Sequence, residues 1–376
     1  MAGLYFHIPF CKQACHYCDF HFSTNLSLKT KLITCMVREL EMQRDYLGPV
    51  KLQTLYLGGG TPSLLDENEL GTLLNAVHKH FSLAANPEIT LEANPDDITP
   101  FTLQSFKSVG INRLSVGIQS FHDSILQYMN RAHSALRANQ AIDCIREAGF
   151  SNVSIDLIFA VPGQTEAMWI SDIEDALKIN PEHISCYSLT IEEKTVFGHW
   201  HKKGQLEPVD EKIAARFLLT LSDRLTESGF EHYEVSNFSR PGFQARHNSH
   251  YWAGKHYLGI GPAAHSYNTD SRQFNIANNH AYVNSLNAGI VPAEKEVLSR
   301  ENKINEYLLT RLRTAAGADI HFLKNNFDYD LMRLHSDYVD RLQQQSLAIL
   351  DGEYLKLTRK GFLLADTISS ELFVTS

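Results

Sequence analysis

The chain has 376 residues, enough for two or three domains with ample core, and its 34 Lys and Arg against 43 Asp and Glu leave a formal charge of -9. That acidic balance excludes a non-specific grip on nucleic-acid phosphates, which needs a basic surface. Six cysteines, three of them between positions 11 and 18, form no disulfide framework; MAGLYFHIPF is no secretory leader, and no apolar run approaches a membrane span. The expectation is a reduced, cytoplasmic protein.

The predicted elements open with a strand at LYFHI (4–8) and a helically spaced stretch from Leu28 to Tyr46. TLYLG (54–58) leads to a helix starting at Asp66 or Glu67. EITLEAN (88–94) precedes Thr99, a cap for a helix that runs to Val109 and stops at Gly110. RLSVGIQ (113–119) is followed by two helical stretches, the second ending at Gly149. NVSIDLIF (152–159) leads to a helix from Glu166 to Ile179, and HISCYSL (183–189) closes the series. Six strand–helix alternations without a hairpin signal predict a parallel sheet of crossover units. Since eight units need about 250 residues, six need roughly 190, where the alternation stops. The fold class is therefore α/β, an incomplete parallel (β/α)6 barrel over residues 1–195.

Beyond it, Asp210 to Gly229 reads as one capped helix, and residues 230–280 are rich in Gly, Asn, His and aromatics. Residues 196–295 are expected to connect the barrel to a module at 296–376. There helical text and a strand and turn at EYLKLTRKG (353–361) suggest a winged-helix-like unit. Cys35, Cys144 and Cys186 read as buried free thiols, the aromatic text around Trp200 and Trp252 as core, and Lys202–Lys203 as a solvated turn.

In parallel sheets chemistry sits beyond the carboxyl ends of the strands. Those ends carry CKQACHYCDF (11–20), GGGTP (58–62), Glu92, Gln119, Asp156 and the pair Tyr187–Ser188. Cys11, Cys15 and Cys18 stand as C-x-x-x-C-x-x-C, and thiolates are soft ligands for zinc or iron–sulfur clusters. A zinc site of three Cys and one His would recruit His7, His16 or His21. Three cysteines on one tight loop suit instead three irons of a cubane, the fourth iron staying free of protein. With no second cysteine pair, the spacing favours the cluster. The glycines of GGGTP bare a backbone that a ligand can approach. Glu92 and Asp156, on apolar strands, need a partner such as a ribose hydroxyl or a cation. Arg131 has two readings, a clamp on a ligand carboxylate or a surface partner of Asp123 or Glu147.

Residues 1 to about 195 resemble the radical S-adenosylmethionine (SAM) superfamily, whose signature is this cysteine loop. The resemblance implies a 4Fe-4S cluster on Cys11, Cys15 and Cys18, with SAM chelating the open iron. It also implies SAM contacts from Tyr5, Gly59, Gly60, Thr61, Glu92, Gln119, Arg131 and Asp156. The motifs YFHIPFC, GGGTP, EANPDD, SVGIQSF, NRAHS and DLIFAVPGQT are similar to those of the oxygen-independent coproporphyrinogen III oxidase group.

Two classes share that group. The decarboxylating oxidases carry C-x-C at the end of the loop and an extension ahead of the core; this chain has Cys18–Asp19–Phe20 and four residues before Tyr5, as in HemW-type heme chaperones. RHNSHYW (246–252) resembles the chaperones' H-N-x-x-Y-W motif, implying heme contacts from His247, Tyr251 and Trp252, with Arg246 toward a propionate. An imidazole suits heme iron and flat rings suit a macrocycle; His250, His256 and His265 remain competing ligands. The expected function is a heme chaperone, a carrier rather than a coproporphyrinogen III dehydrogenase, with no catalytic residue assigned; the alternative is that oxidase. The implied partners are heme and acceptor hemoproteins, with acceptors at the inner face of the membrane and a homodimer left open, and no nucleic acid.

Overall fold

The computed structural model describes residues 2–374. Its centre is six strands in chain order: β1 (Ala2–Ile8), β2 (Leu52–Gly59), β3 (Leu83–Ala93), β4 (Arg113–Gln119), β5 (Val153–Phe159) and β6 (His183–Ser188). Each pairs parallel with the next. The crossovers are α1 (Lys29–Met42), α2 (Glu67–His80), α3 (Pro100–Ser108), α4 (Asp123–Tyr128) with α5 (Ala135–Glu147), and α6 (Glu166–Ile179). Local chemistry starts and stops them as the sequence implies. Asp66 with Glu69 and Thr99 with Thr102 form reciprocal caps, Thr165 caps α6, and Gly110 and Gly149 take positive φ beyond helix ends.

One face of the sheet is apolar. Leu4, Phe6, Leu55, Leu57, Leu91, Leu114, Val116, Ile155, Leu157 and Ile184 point outward and pack with the helices in one core. Alternate positions point inward and are polar: Thr54 and Tyr56, Thr90 and Glu92, Arg113 and Ser115, Ser154 and Asp156, His183 and Ser185. The period of two along each strand assigns the faces.

The barrel does not close on itself. Following β6 come α7 (Val196–Lys202), α8 (Glu211–Glu227), β7 (Glu231–Glu234), β8 (Asn237–Ser239) and α9 (Arg246–Trp252). Then come β9 (His256–Ile260), β10 (His265–Tyr267), β11 (Ser271–Asn275), α10 (Asn279–Asn287) and β12 (Ala293–Val297). The segment read as a connecting region thus enters the central sheet at both margins: β8 pairs antiparallel with β6, and β9 parallel with β1. The sheet order is β12-β11-β10-β9-β1-β2-β3-β4-β5-β6-β8-β7, twelve strands in all. A buried carboxylate ties one margin down. Glu39 of α1 accepts from Gly261 N at 2.9 Å, Tyr282 Oη at 2.5 Å and Asn275 Nδ2 at 2.6 Å.

The carboxyl-terminal module has its own core, including Leu308, Leu312, Leu323, Leu331, Leu342, Leu355 and Phe362. It comprises α11 (Arg300–Leu312), β13 (Ala318–Asp319), α12 (Ile320–Phe327), α13 (Leu331–Gln344), β14 (Ala348–Asp351), β15 (Tyr354–Leu357), α14 (Arg359–Phe362) and α15 (Ala365–Glu371). The hairpin lies at 348–357 rather than 353–361, because Thr358 caps a helical turn at Arg359–Phe362. The module docks on β7: Val235 N donates to Arg313 O at 3.0 Å and Ala315 N to Tyr233 O at 2.9 Å. No helix among the described residues is long and apolar enough to cross a membrane.

Candidate functional site: the mouth and floor of the barrel

The strands enclose a cavity of about 530 Å3, lined at its mouth by Cys11, Cys15 and Cys18. The cysteine loop leaves β1 and is pinned at several points. Cys11 N donates to Ser23 O at 3.1 Å, His16 N to Met129 O at 3.1 Å, and Asn130 Nδ2 to Ala14 O at 2.7 Å. Beneath it lies a small apolar cluster separate from the main core, including Ile125, Met129, Phe197 and Trp200. Burial raises the Cys11 thiol above its ordinary value and pushes Cys18 up to about 12, so a bound metal must supply the drive to thiolate.

The three histidines considered as a fourth ligand are engaged elsewhere. His7 Nε2 contacts His21 O at 2.8 Å, His16 Nδ1 contacts Tyr128 O at 3.0 Å, and His21 Nε2 contacts Asn279 Oδ1 at 2.8 Å. Three thiols on one loop, with each of these histidines already bonded through a ring nitrogen, fit a cubane with one open iron. Arg131 supports the same fit. Its Nη1 reaches Cys15 Sγ at 3.4 Å and its Nη2 donates to Asn94 Oδ1 at 2.6 Å and Gly117 O at 2.8 Å, while its buried Nε has no partner. The surface pairing with Asp123 or Glu147 does not occur; Arg131 lines the cavity.

Gly59, Gly60, Thr61, Glu92, Gln119 and Asp156 line this same cavity, with Tyr187 and Ser188 at its rim. The glycines do more than bare the backbone. A Cβ on Gly59, at φ +107°, would sit 2.7 Å from the His7 ring, and one on Gly60 would sit 2.7 Å from Phe10 O, so side-chain-free residues let β2 close against the base of the cysteine loop. Thr61 Oγ1 donates to Cys11 Sγ at 3.4 Å. Glu92 accepts from Tyr56 Oη at 2.7 Å and Gly59 N at 3.1 Å; burial, reinforced by the charge of Asp156, raises its pKa to about 7. Asp156, raised by burial to about 6, accepts from Ser115 Oγ at 3.2 Å. Gln119 ends β4 at φ +70°, beside a register shift: a non-glycine residue held left-handed at the mouth.

Tyr5 lies outside the lining. Its ring stacks on Tyr56, with centroids 6.0 Å apart, and its hydroxyl meets His7 Nδ1 at 3.2 Å. The RHNSHYW segment is also displaced from the cysteine loop. It forms α9 and closes the opposite, amino-terminal end of the barrel. His247 N donates to Glu88 Oε1 at 3.0 Å, Arg246 Nη2 to Asn86 O at 2.9 Å, and Arg113 Nη1 to Phe243 O at 3.4 Å. His247 is buried and stacked on Tyr56, its Nδ1 at 2.7 Å from Thr54 Oγ1 and its Nε2 at 2.6 Å from Tyr251 Oη. Burial lowers its pKa to about 3, so the ring is neutral. In this conformation neither nitrogen of His247 is open to iron. Trp252 faces the carboxyl-terminal module, under the Arg313 guanidinium at 6.0 Å. Only Asn248 of the motif enters the cavity, from its floor, while the neighbouring His250 keeps a buried Nδ1 without a partner.

Comparison with known proteins fits this arrangement. The Radical SAM superfamily profile matches residues 5–176, and the HemN C-terminal domain profile matches residues 298–364. The heme chaperone HemW of Lactococcus lactis is 34% identical over 97% of this chain and 95% of its own length. The chain belongs to the HemW family of radical SAM proteins. The Bacillus subtilis HemW is 32% identical over 98% of both chains. The solved radical SAM coproporphyrinogen III oxidase (HemN) of Escherichia coli superposes at a TM-score of 0.86 over 99% of this chain and 90% of its own, at 22% identity, which establishes a shared fold. The resemblance read from the sequence motifs is thereby borne out. Tyr56 and Arg113 had not been singled out, yet both line the cavity; the inward period of T-L-Y and R-L-S carried that signal.

Proposed function

We propose that this HemW-family chain is a heme chaperone that holds a 4Fe-4S cluster on Cys11, Cys15 and Cys18, binds SAM across the strand ends and passes heme to acceptor hemoproteins. Heme chaperone is the description carried by its relatives, and the clustered unpaired thiols support a reducing, cytoplasmic setting. When bound, the cluster would supply an electron-donating centre with one open coordination position. The chain's own residues bind and orient: Glu92 and Asp156 accept hydroxyl protons, Arg131 neutralises a carboxylate, and the aligned glycines hold the loop close. Phe20 is the observation that favours a carrier over the oxidase. It stands 66% exposed at the cavity rim, at the position where the oxidase pattern has a further thiol.

Heme coordination by His247 requires that its Nε2 part from Tyr251 or its Nδ1 from Thr54. His250, with its unpartnered Nδ1, is the competing imidazole on the same helix.

Anaerobic reconstitution tests the cluster. Iron and sulfide should load together in the native chain and fall to background in the triple Cys11→Ala, Cys15→Ala, Cys18→Ala variant; zinc without sulfide would refute the assignment. Heme titration of the native chain should give a Soret band, with the His247→Ala and His250→Ala spectra assigning the ligand. Turnover of coproporphyrinogen III with SAM, without heme binding, would replace the chaperone by the oxidase.

A further inference from the structure

We propose that the floor of the cavity is a binding subsite for a carboxylate, built by Arg113 with Thr90 and Asn248 and separate from the groups at the strand ends. This deepens the heme reading, which it needs only for the identity of the ligand: a heme propionate has the required chemistry.

Arg113 opens β4, whereas Gln119 closes it; six residues of strand separate the two by about 20 Å. The Arg113 side chain is 2% exposed and lines the cavity. Its Nη1 donates to Asn152 Oδ1 at 2.7 Å and to Phe243 O at 3.4 Å, both neutral acceptors. Among the described residues no carboxylate lies within ion-pair distance of it. Asp156, whose field it feels, is held instead by Ser115 and Ser185. With neutral hydrogen-bond partners only, and Asp156 beyond ion-pair distance, the buried guanidinium lacks a directly bonded anion, which a ligand carboxylate would supply.

A second observation points to the same place. Thr90, paired with Arg113 across β3 and β4, is 0% exposed and lines the cavity, and its buried Oγ1 has no partner. A buried hydroxyl without a partner is rare enough to require an explanation, and a ligand oxygen supplies one. Asn248 adds an amide at the floor. The other polar floor groups are already used: His183 Nδ1 meets Ser154 Oγ at 2.7 Å and its Nε2 meets Tyr233 Oη at 2.7 Å. The floor therefore offers one cation, one free hydroxyl and one amide, a set that matches a carboxylate.

Sodium propionate is the probe, titrated against sodium chloride at matched ionic strength into the full chain, read by calorimetry and by the thermal midpoint. The native chain should show saturable propionate binding. Arg113→Gln should abolish it and Arg113→Lys should keep part of it. Arg113→Gln can also loosen the fold, because it releases Asn152 and Phe243. Thr90→Val avoids that risk, since its hydroxyl has no partner to lose, and should weaken propionate about tenfold at most without lowering stability. No saturable propionate binding in the native chain, or equal binding in Arg113→Gln and Thr90→Val, overturns the subsite. A parallel titration compares heme with heme dimethyl ester. Preference for the free acid that Arg113→Gln removes supports a propionate as the occupant. Heme binding that ignores both esterification and Arg113 overturns the subsite and leaves the chaperone reading standing. Propionate binding without any heme binding does the reverse.

Discussion

At the carboxyl end of the strands the cavity is lined by groups with unmet bonding capacity, whereas at the amino end two buried rings, His247 and His183, are fully matched within the protein beside the Thr90 hydroxyl and the Arg113 guanidinium left to a ligand. Around the cysteine loop, Arg131 Nε has no partner, Gln119 is held left-handed and Phe20 is exposed. On the opposite side His247 and His183 each have both ring nitrogens bonded within the protein. Unmatched groups are tolerated where a ligand completes them, whereas a buried ring with two partners contributes to the fold itself. The difference separates a site built for cofactors from a plug that holds the barrel together and must open if it is to bind metal.

The largest effect should come from the plug. His247→Ala removes a buried ring and leaves Thr54 and Tyr251 without their partner, costing about 2–4 kcal/mol. Denaturant midpoints of the metal-free chain measure this. Cys11→Ala, at the mouth, should shift the same midpoint by about 0.5 kcal/mol or less. Comparable losses for the two variants would break the contrast between the ends.

Acid and base should act on the two ends in opposite senses. His247 titrates at about 3 in the fold against 6.5 in the ordinary state, so below pH 6.5 the unfolded chain takes up a proton that the fold refuses. Stability from that group is present above pH 6.5 and drains as pH falls toward 3. Glu92, raised from 4.5 to about 7, works the other way: its contribution is full below pH 4.5 and is lost as pH rises through 7. Glu92→Gln should therefore stabilise the ligand-free chain at pH 8 by about 1–2 kcal/mol, after allowing for water in the open cavity, while weakening SAM binding. Asp156, raised to about 6, adds to the same alkaline limb. Unfolding curves from pH 5 to 8 decide it. An unchanged alkaline limb in Glu92→Gln would place the carboxylate in water rather than in the cavity wall.

The sequence made the mouth legible because each signal there is local. The cysteine spacing, the glycine run and the carboxylates Glu92 of β3 and Asp156 of β5 lie within short windows, and the caps at Asp66 and Thr99 fix where helices begin. The floor was hidden for two reasons. Arg113 opens β4 and Thr90 lies within β3, opposite it, and both look like ordinary strand polarity. Its plug comes from more than one hundred residues further on, and nothing local tells His247 which way to face. The marginal strands were missed for a related reason: β7 to β12 span three to five residues each, too short to show a period, and their pairing to β1 and β6 is non-local. Reading inward positions along whole strands, rather than only at their ends, would have exposed Tyr56 and Arg113.

The smallest expected effect tests what Phe20 is for. An aromatic side chain 66% exposed has most of its surface in water, so truncation removes little burial; Phe20→Ala should change unfolding free energy by no more than about 0.5 kcal/mol. Iron and sulfide content should also be unchanged, since Phe20 is not among the residues whose packing holds the loop down, which include Ile125, Met129 and Phe197 beneath it. Heme affinity is where the variant should differ. Phe20 shares the rim with Tyr187, itself 44% exposed, and the two rings offer flat area to a macrocycle entering the cavity. Loss of one ring face should weaken heme by about 1 kcal/mol, seen as a several-fold faster release to an apo-hemoprotein trap. Phe20→Leu should recover part of it through apolar area without stacking. A variant that loses more than about 1 kcal/mol of stability would instead make Phe20 a packed residue of the loop, and the contrast between an open mouth and the matched rings of the plug would narrow at that position.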